Sequence, residues 1–380
     1  MIDIMGHDFI KYGTIVNYTS IQFEESMNEP GHLEIHVNAS IEGAEELQKG
    51  RLVIIDGDLN KCGLITDLGK DDEDQDMIIV KGHELKIITR QRTTIPPEGA
   101  DYTVYNGTVE WVMRKVMLDH FIQPEDPARL FPFLQLGIFK DAGPKTRVQQ
   151  TNKPVNEVLT EISKIHDIGW RITPDLEAVQ YLFQVFSGTD RSDEVLFEDE
   201  YGIDNILSAS YTDTMEDYKN VAYVYGEGEG AVRKRVLIGN ATGWNRHELT
   251  IDARDLQSEE EELTEAQYLS ILQSRGYERL AEHQMQEFLS IKTLANTEGA
   301  PFQYGRDFYL GDIVMIQLNR WGLAKKDRVT SVLHVWEDIG YRQDIMFGAE
   351  KPNVIKKIKR TETRLNVLEN SKVRAQVSIL

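Results

Sequence analysis

The feature that most constrains this chain lies between Asp190 and Asp255. Val221-Ala222-Tyr223-Val224-Tyr225 is a short run of strand-forming residues, and Gly226-Glu227-Gly228-Glu229-Gly230 follows it directly. A basic, β-branched run from Val232 to Ile238 comes next. The chain turns again at Gly239-Asn240-Ala241-Thr242-Gly243 and continues through Arg246 to Asp255. The passage reads as an antiparallel meander. Such glycines can also cradle a phosphate on bare backbone N–H groups. Here Glu227 and Glu229 stand where the anion would sit, no Lys-Ser or Lys-Thr pair closes the motif, and a strand follows instead of a helix. A hairpin turn is the better reading.

The flanking segments extend the β pattern. His32 to Asn38 alternates polar and apolar side chains, and Arg51–Asp56, Gly63–Asp67 and Met77–Gly82 are further apolar runs separated by turn residues. Residues 1–98 therefore read as a first β-barrel domain ending at Pro96-Pro97. In 99–200, Val109, Val112, Met113, Val116, Met117 and Phe121 define an amphipathic helix capped near Thr108. A second helix runs from about Pro154 to His166 and stops at Gly169, and Trp170–Thr173 and Gln180–Phe186 look like paired strands. That segment is an α+β unit. A long helix is expected from about Glu259 to Leu289, inside a helical insertion (256–296) that packs on the α+β unit. Strands return at Tyr304–Ile316, Arg328–Trp336 and Tyr341–Phe347. The expected fold is thus α+β: two tube-type antiparallel β-barrel domains, the second formed by 201–255 and 297–350, with an α+β insertion and a helical insertion. Their similar turns hint at an internal duplication.

Composition narrows the chemistry. A chain of 380 residues is too long for one ordinary core. Its single cysteine, Cys62 in a turn-like Asp56–Gly63 stretch, can form neither an internal disulfide nor a CxxC knuckle. Met1–Asp8 does not read as a signal peptide, and no apolar run approaches membrane-spanning length. The formal charge of −21 opposes nucleic-acid binding but suits a wall that DNA passes without sticking.

Several residues invite a catalytic or metal-binding reading, and each has a plainer one. His32 and His36 share the polar face of an edge-like strand. Asp71-Asp72-Glu73-Asp74-Gln75-Asp76 is dense in carboxylates but lacks EF-hand spacing, so a solvated hairpin tip is preferred. His166 and Asp167 fit a polar helix C-terminus. Ser187 to Ser192 has hydroxyls beside an aspartate, without a G-x-S-x-G elbow. Glu198 with Asp199, or Glu248 with Asp252, could pair as in a glycosidase, but such pairs are inevitable in an acidic chain. No catalytic residue, cofactor or metal site is assigned.

The order of several motifs carries a resemblance. Arg51-Leu52-Val53-Ile54, Gly63-Leu64-Ile65, Lys81-Gly82-His83-Glu84-Leu85, Arg90-Gln91-Arg92 and Pro127 to Pro132 are followed by Gly188-Thr189-Asp190-Arg191-Ser192. Lys219 to Gly226, Arg246-His247-Glu248, Asp252-Ala253-Arg254-Asp255 and Phe347 to Pro352 complete the series. Over about residues 1 to 355 the chain resembles the siphophage tail proteins of the ReqiPepy-like hub family. The resemblance implies a baseplate or tail-tip hub in the virion, a homotrimer with two tube-type barrels per chain matching a hexameric tail tube. Implied partners are the distal tail protein, the tail-tube ring, the tape-measure protein C-terminus and a tip or fibre protein, with genomic DNA passing through unbound. A cell-wall hydrolase and the hub of a phage-derived injection system are the competing functions, and little room is left for a lysin before Leu380. The basic tail 351–380 places Val354, Ile358, Thr361, Leu365 and Leu368 at alternating spacings of four and three. That spacing fits either a short trimeric coiled coil or a helix packed on its own subunit.

Overall fold

Strand-forming runs that bury alternate side chains dominate the architecture. The computed structural model describes residues 1–70, 76–199, 206–254, 256, 264–293, 301–337 and 340–348. Residues 1–348 form one compact unit. The fold is mostly antiparallel β-sheet with few helices, of the expected α+β class.

The first seven strands are β1 (Ile2–Met5), β2 (Lys11–Ile15), β3 (Ser20–Ser26), β4 (His32–Asn38), β5 (Leu52–Ile55), β6 (Asp58–Lys70) and β7 (Met77–Glu84). They surround a core built from Ile2, Ile4, Phe23, Ile35, Val53 and Val80. β1 is not evident in the sequence, yet its Ile2 and Ile4 are fully buried. β4 is an interior strand, between β3 and β7, and not the edge expected for it. Cys62 lies in β6 beyond the Asp56-Gly57 turn, both of whose residues have positive φ. Burial pushes its thiol up to about 12.

The α+β unit contains β8 (Thr103–Thr108), α1 (Val109–Met117), β9 (Leu134–Leu136), β10 (Lys145–Gln150), α2 (Val155–His166), β11 (Gly169–Asp175) and β12 (Gln180–Phe186). Thr108 caps α1 by accepting from the Trp111 N–H, as expected. Asn106 and Gly107 belong to β8 instead of a turn. Asp167 in the left-handed region ends α2; Gly169 already begins β11, where a Cβ would strike the Phe186 ring at 2.3 Å. β11 and β12 pair antiparallel from Gly169↔Phe186 to Asp175↔Gln180.

The remaining strands are β13 (Leu196–Glu198), β14 (Ser208–Thr214), β15 (Val221–Tyr225), β16 (Arg235–Ile238), β17 (Glu248–Asp252), β18 (Gln286–Thr293), β19 (Ile313–Leu318), β20 (Leu323–Glu337) and β21 (Gly340–Gly348). Helix α3 covers Glu265–Ala281. Six of these strands join the first seven in a 13-stranded sheet of order β14-β18-β21-β20-β3-β4-β7-β6-β5-β1-β2, with β19 and β13 branching from β20. They surround a second core that includes Phe197, Ile291, Ile316, Val332 and Phe347. Among the described ladders none joins the two ends of this path, so no closed barrel is present there.

Three expectations are corrected. The helix expected to run to Leu289 stops at Ala281, because the residues from Gln286 onward find an antiparallel place between β14 and β21. Pairing within the sheet overrides an apolar spacing that also suits a helix. Helix α3 packs on β15, β16 and β17, through Ala222, Val224, Ile238, Tyr268 and Leu272, and not on the α+β unit. Most of Tyr304–Asp312 is turn, and the strand begins at Ile313. The carboxylate run 71–75 and the tail with Val354, Ile358, Leu365 and Leu368 lie outside the described residues.

Candidate functional site

The turn between β3 and β4 is where three parts of the molecule meet. β3 pairs with β20, from Ser20↔Glu337 to Ser26↔Ser331, and so joins the two β halves into one sheet. Met27 N–H then donates to the Thr330 carbonyl at 2.9 Å. From the α+β unit, Trp170 Nε1 donates to the Asn28 carbonyl at 2.9 Å, and the Ser163 hydroxyl donates to Asn28 Oδ1 at 2.8 Å. Gly31 is required here: a Cβ would lie 1.9 Å from the Glu24 carbonyl oxygen.

Charged groups are buried around this turn. His334 of β20 is fully buried and reaches Glu25 Oε1 through Nε2 at 2.8 Å and the Tyr341 hydroxyl through Nδ1 at 2.6 Å. Tyr304 donates to Glu25 Oε2 at 3.1 Å, and Gln343 donates to the Tyr341 hydroxyl at 2.7 Å. Burial lowers the His334 pKa, although Glu25 pulls the other way. The ring is then neutral, with the proton on Nε2 donated to the carboxylate and Nδ1 accepting from Tyr341. Burial also raises Tyr304 well above the usual phenol range. Nearby, Lys86 donates to the Ser26 carbonyl, lies 3.4 Å from Glu84 and sits 5.3 Å from the centre of a Trp170 ring. Glu84 accepts from Gly31 N–H at 2.8 Å, and its burial pushes it up to about 7. Both Glu25 oxygens, Glu84 Oε2 and the Ser26 carbonyl are engaged by donors of the chain itself, which makes the cluster a structural clamp.

The residues singled out in the sequence are placed in similar structural roles. In Gly188-Thr189-Asp190-Arg191-Ser192, Thr189 N–H donates to Asp312 Oδ1 at 2.7 Å and Arg191 Nε to Asp312 Oδ2 at 2.9 Å. Gly188 touches Gly311, where a Cβ would come within 1.8 Å of the carbonyl oxygen. The Ser192 hydroxyl donates a hydrogen bond to Asp190 Oδ1. Asn319 donates to both Glu198 and Asp199, at 3.2 and 2.7 Å, and Arg320 pairs with Asp199. Glu248 is held by Arg246, and Asp252 by Arg233 and Arg254. His166 meets the Thr146 hydroxyl at 3.2 Å.

His36 bonds Glu34 at 2.7 Å, while His32 faces His83 with ring centres 4.9 Å apart. The His32 and His83 rings border a hollow of about 340 Å³ that Asp67 and Lys81 also line. Among the described residues no three His, Cys, Asp or Glu side chains converge as metal ligands would. No described helix is long and apolar enough to cross a membrane.

The glycine-rich passage proves to be a turn, though its surroundings differ from an antiparallel meander. β15 pairs antiparallel with β16 but parallel with β17, giving the order β16-β15-β17. The chain must cross beneath the start of β15, where Asn220 ties the crossover down: its side chain donates to the Asn245 carbonyl at 2.7 Å and accepts from His247 N–H at 2.9 Å. Gly226 leaves room for Tyr268, whose hydroxyl accepts from Glu227 N–H at 2.7 Å and donates to the Leu256 carbonyl at 2.8 Å.

Sequence reasoning missed the clamp. Glu25, Lys86, Tyr304 and His334 are scattered through the chain, and no local pattern links them. The fold has counterparts among solved structures. It is similar to that of the 43 kDa tail protein of prophage MuSo2 from Shewanella oneidensis (TM-score 0.57, 16% identity, covering 91% of this chain and 97% of that one). It is also similar to a tail protein from Neisseria meningitidis MC58 (0.56, 11%, 92% and 96%) and to prophage tail protein gp18 from Listeria monocytogenes EGD-e (0.53, 12%, 96% and 99%). The model of the Siphovirus ReqiPepy6 Gp37-like protein family matches residues 1–349, and the chain belongs to that family. This bears out the resemblance drawn from the ordered motifs. No curated protein matches it.

Proposed function

We propose that the chain is a structural protein of a siphophage tail and acts as its tip or baseplate hub without performing chemistry. The observation that carries this reading is one sheet serving two cores. β1–β7 surround one, β13, β14 and β18–β21 surround the other, and β3–β20 pairing holds them in a fixed relation. Two such β bodies per chain are what three copies need in order to offer six similar faces to a hexameric tube. Each body serves as a tube-type unit, the homotrimer surrounds a channel for the genome, and the distal tail protein, tail-tube ring and tape-measure protein C-terminus are its neighbours. A channel wall in an acidic protein repels the DNA phosphates instead of gripping them.

The carboxylates that could have argued for hydrolysis are engaged by cationic or amide donors, which supports a non-catalytic role. Light scattering of the full chain tests the proposal. A trimer is expected; a monomer that clears a cell-wall suspension would replace the hub with an enzyme.

A further inference from the structure

Along β4 the side chains of Leu33, Ile35 and Val37 enter the core, so His32, Glu34 and His36 stand on the opposite face of the sheet. β7 runs antiparallel beside it and sets His83 directly across from His32, and Lys81 across from Glu34. On the far side of β7 the register of β6 shifts between Ile65 and Asp67. This bulge lets both Thr66 and Asp67 line the hollow that His32 and His83 border.

The polar groups of the hollow are unevenly matched. Glu34 is held by His36 at 2.7 Å and by Lys81 at 3.4 Å. Asp67 accepts from the Thr66 hydroxyl at 2.7 Å and has no cationic partner among the described residues. There, too, no hydrogen bond uses a ring nitrogen of His32, and Nδ1 of His83 is buried without a partner. Burial, helped by the nearby His32 and Arg90, pushes His83 down to about 4 against the pull of the Gly31 carbonyl and Asp67. Its ring is therefore neutral at pH 7, and the pair has lone-pair capacity that the chain itself does not use.

The two rings are also spaced for a shared ligand. Their centres are 4.9 Å apart and their planes differ by 47°. An imidazole bound to an ion at about 2.1 Å holds its ring centre roughly 3.2 Å away, so two of them in a tetrahedral set lie roughly 5 Å apart. We propose that His32 and His83 form a site for a divalent transition-metal ion such as zinc, with water in the remaining positions and Asp67 supplying the nearby negative charge. Imidazole donors select zinc, copper or nickel over magnesium and calcium. Two protein ligands make the site exchangeable. The ion ties β4 to β7 beside the β3–β20 seam, whose Gln22 and Leu333 line the same hollow. The site does not depend on the hub assignment.

Calorimetric titration of zinc into the full chain tests it. His32→Ala and His83→Ala each weaken binding by about tenfold or more, whereas His7→Ala, at an exposed histidine that does not line the hollow, leaves it unchanged. Magnesium does not bind there. Zinc at about one hundred times its dissociation constant lowers the unfolding constant of the wild type about a hundredfold, and that of His32→Ala by about tenfold or less. The His32 ring is exposed, so His32→Ala keeps the zinc-free melting temperature of the wild type. A wild type that binds no zinc, or zinc affinity unchanged in either His32→Ala or His83→Ala, overturns the site. Equal affinity for magnesium assigns the binding to carboxylates and overturns it as well.

Discussion

The β3–β20 junction and the β15–β17 sheet with α3 are held together in opposite ways. At the junction the chain buries Glu25, Glu84, Lys86 and His334 and satisfies them with one another, with tyrosines and with backbone groups. In the small unit the polar contacts other than those of the buried Tyr268 hydroxyl lie at or near the surface, and the packing depends on room left by glycines. Gly276 of α3 approaches so closely that a Cβ would lie 2.1 Å from Ile238 Cδ1 and 2.7 Å from Val224 Cγ2. The junction has little tolerance for lost partners, because a buried donor or acceptor left alone carries its full desolvation cost. The small unit has little tolerance for added volume. A seam that joins two cores must keep its geometry.

Breaking the junction has the largest expected effect. Glu25→Ala strands the His334 Nε2 proton and the Tyr304 hydroxyl in the interior and costs about 3 kcal/mol, visible as a lower denaturation midpoint for the whole described unit. Gly276→Leu costs about 2 kcal/mol. The contrast predicts that this loss stays local, so hydrogen exchange accelerates in β15–β17 and α3 while β3 and β20 keep their protection. Global loss of protection would show that the two regions unfold as one.

Acid sharpens the same comparison. A base kept neutral by burial binds its proton more weakly in the fold than in the unfolded chain. The stability His334 contributes is therefore complete above its ordinary value of 6.5 and is lost as pH falls below it. Its share of the slope is at most about 1.4 kcal/mol per pH unit. His83 and His120, both pushed down to about 4 by burial, act in the same direction. Glu84 acts oppositely: raised from 4.5 to about 7, it favours the fold as pH drops through that window. Glu84→Gln removes this compensation, so its melting temperature falls more steeply than the wild type's between pH 7 and 5. An identical slope would refute the assignment of a proton to Glu84. The smallest effect belongs to the small unit's exposed rim, where Trp244→Ala changes monomer stability by no more than about 0.5 kcal/mol.

Much of the fold was legible because periodicity is local. The alternation of His32–Asn38, the Thr108-capped helix with Val109, Val112 and Val116, the helix after Pro154 and the pair Gly169–Asp175 with Gln180–Phe186 are read from neighbours in the chain. β1 escaped because four residues carry too few alternations to stand out. Residues 286–293 were misread because their apolar spacing suits either period, and only the vacancy between β14 and β21 decides. The direction of β17 was equally hidden, since a loop's composition does not say on which side of β15 it returns.

The sequence alone determined the β-rich character, the positions of most turns, the acidic balance and, through the order of its motifs, the family. Tertiary structure decided which strands share a ladder, that a single sheet would serve two cores, and which charges are buried together. Glu25 and His334 are 309 positions apart and become partners only when β3 meets β20. Propensity and pattern act over a few residues, whereas pairing and burial act between whichever surfaces the folded chain brings into contact.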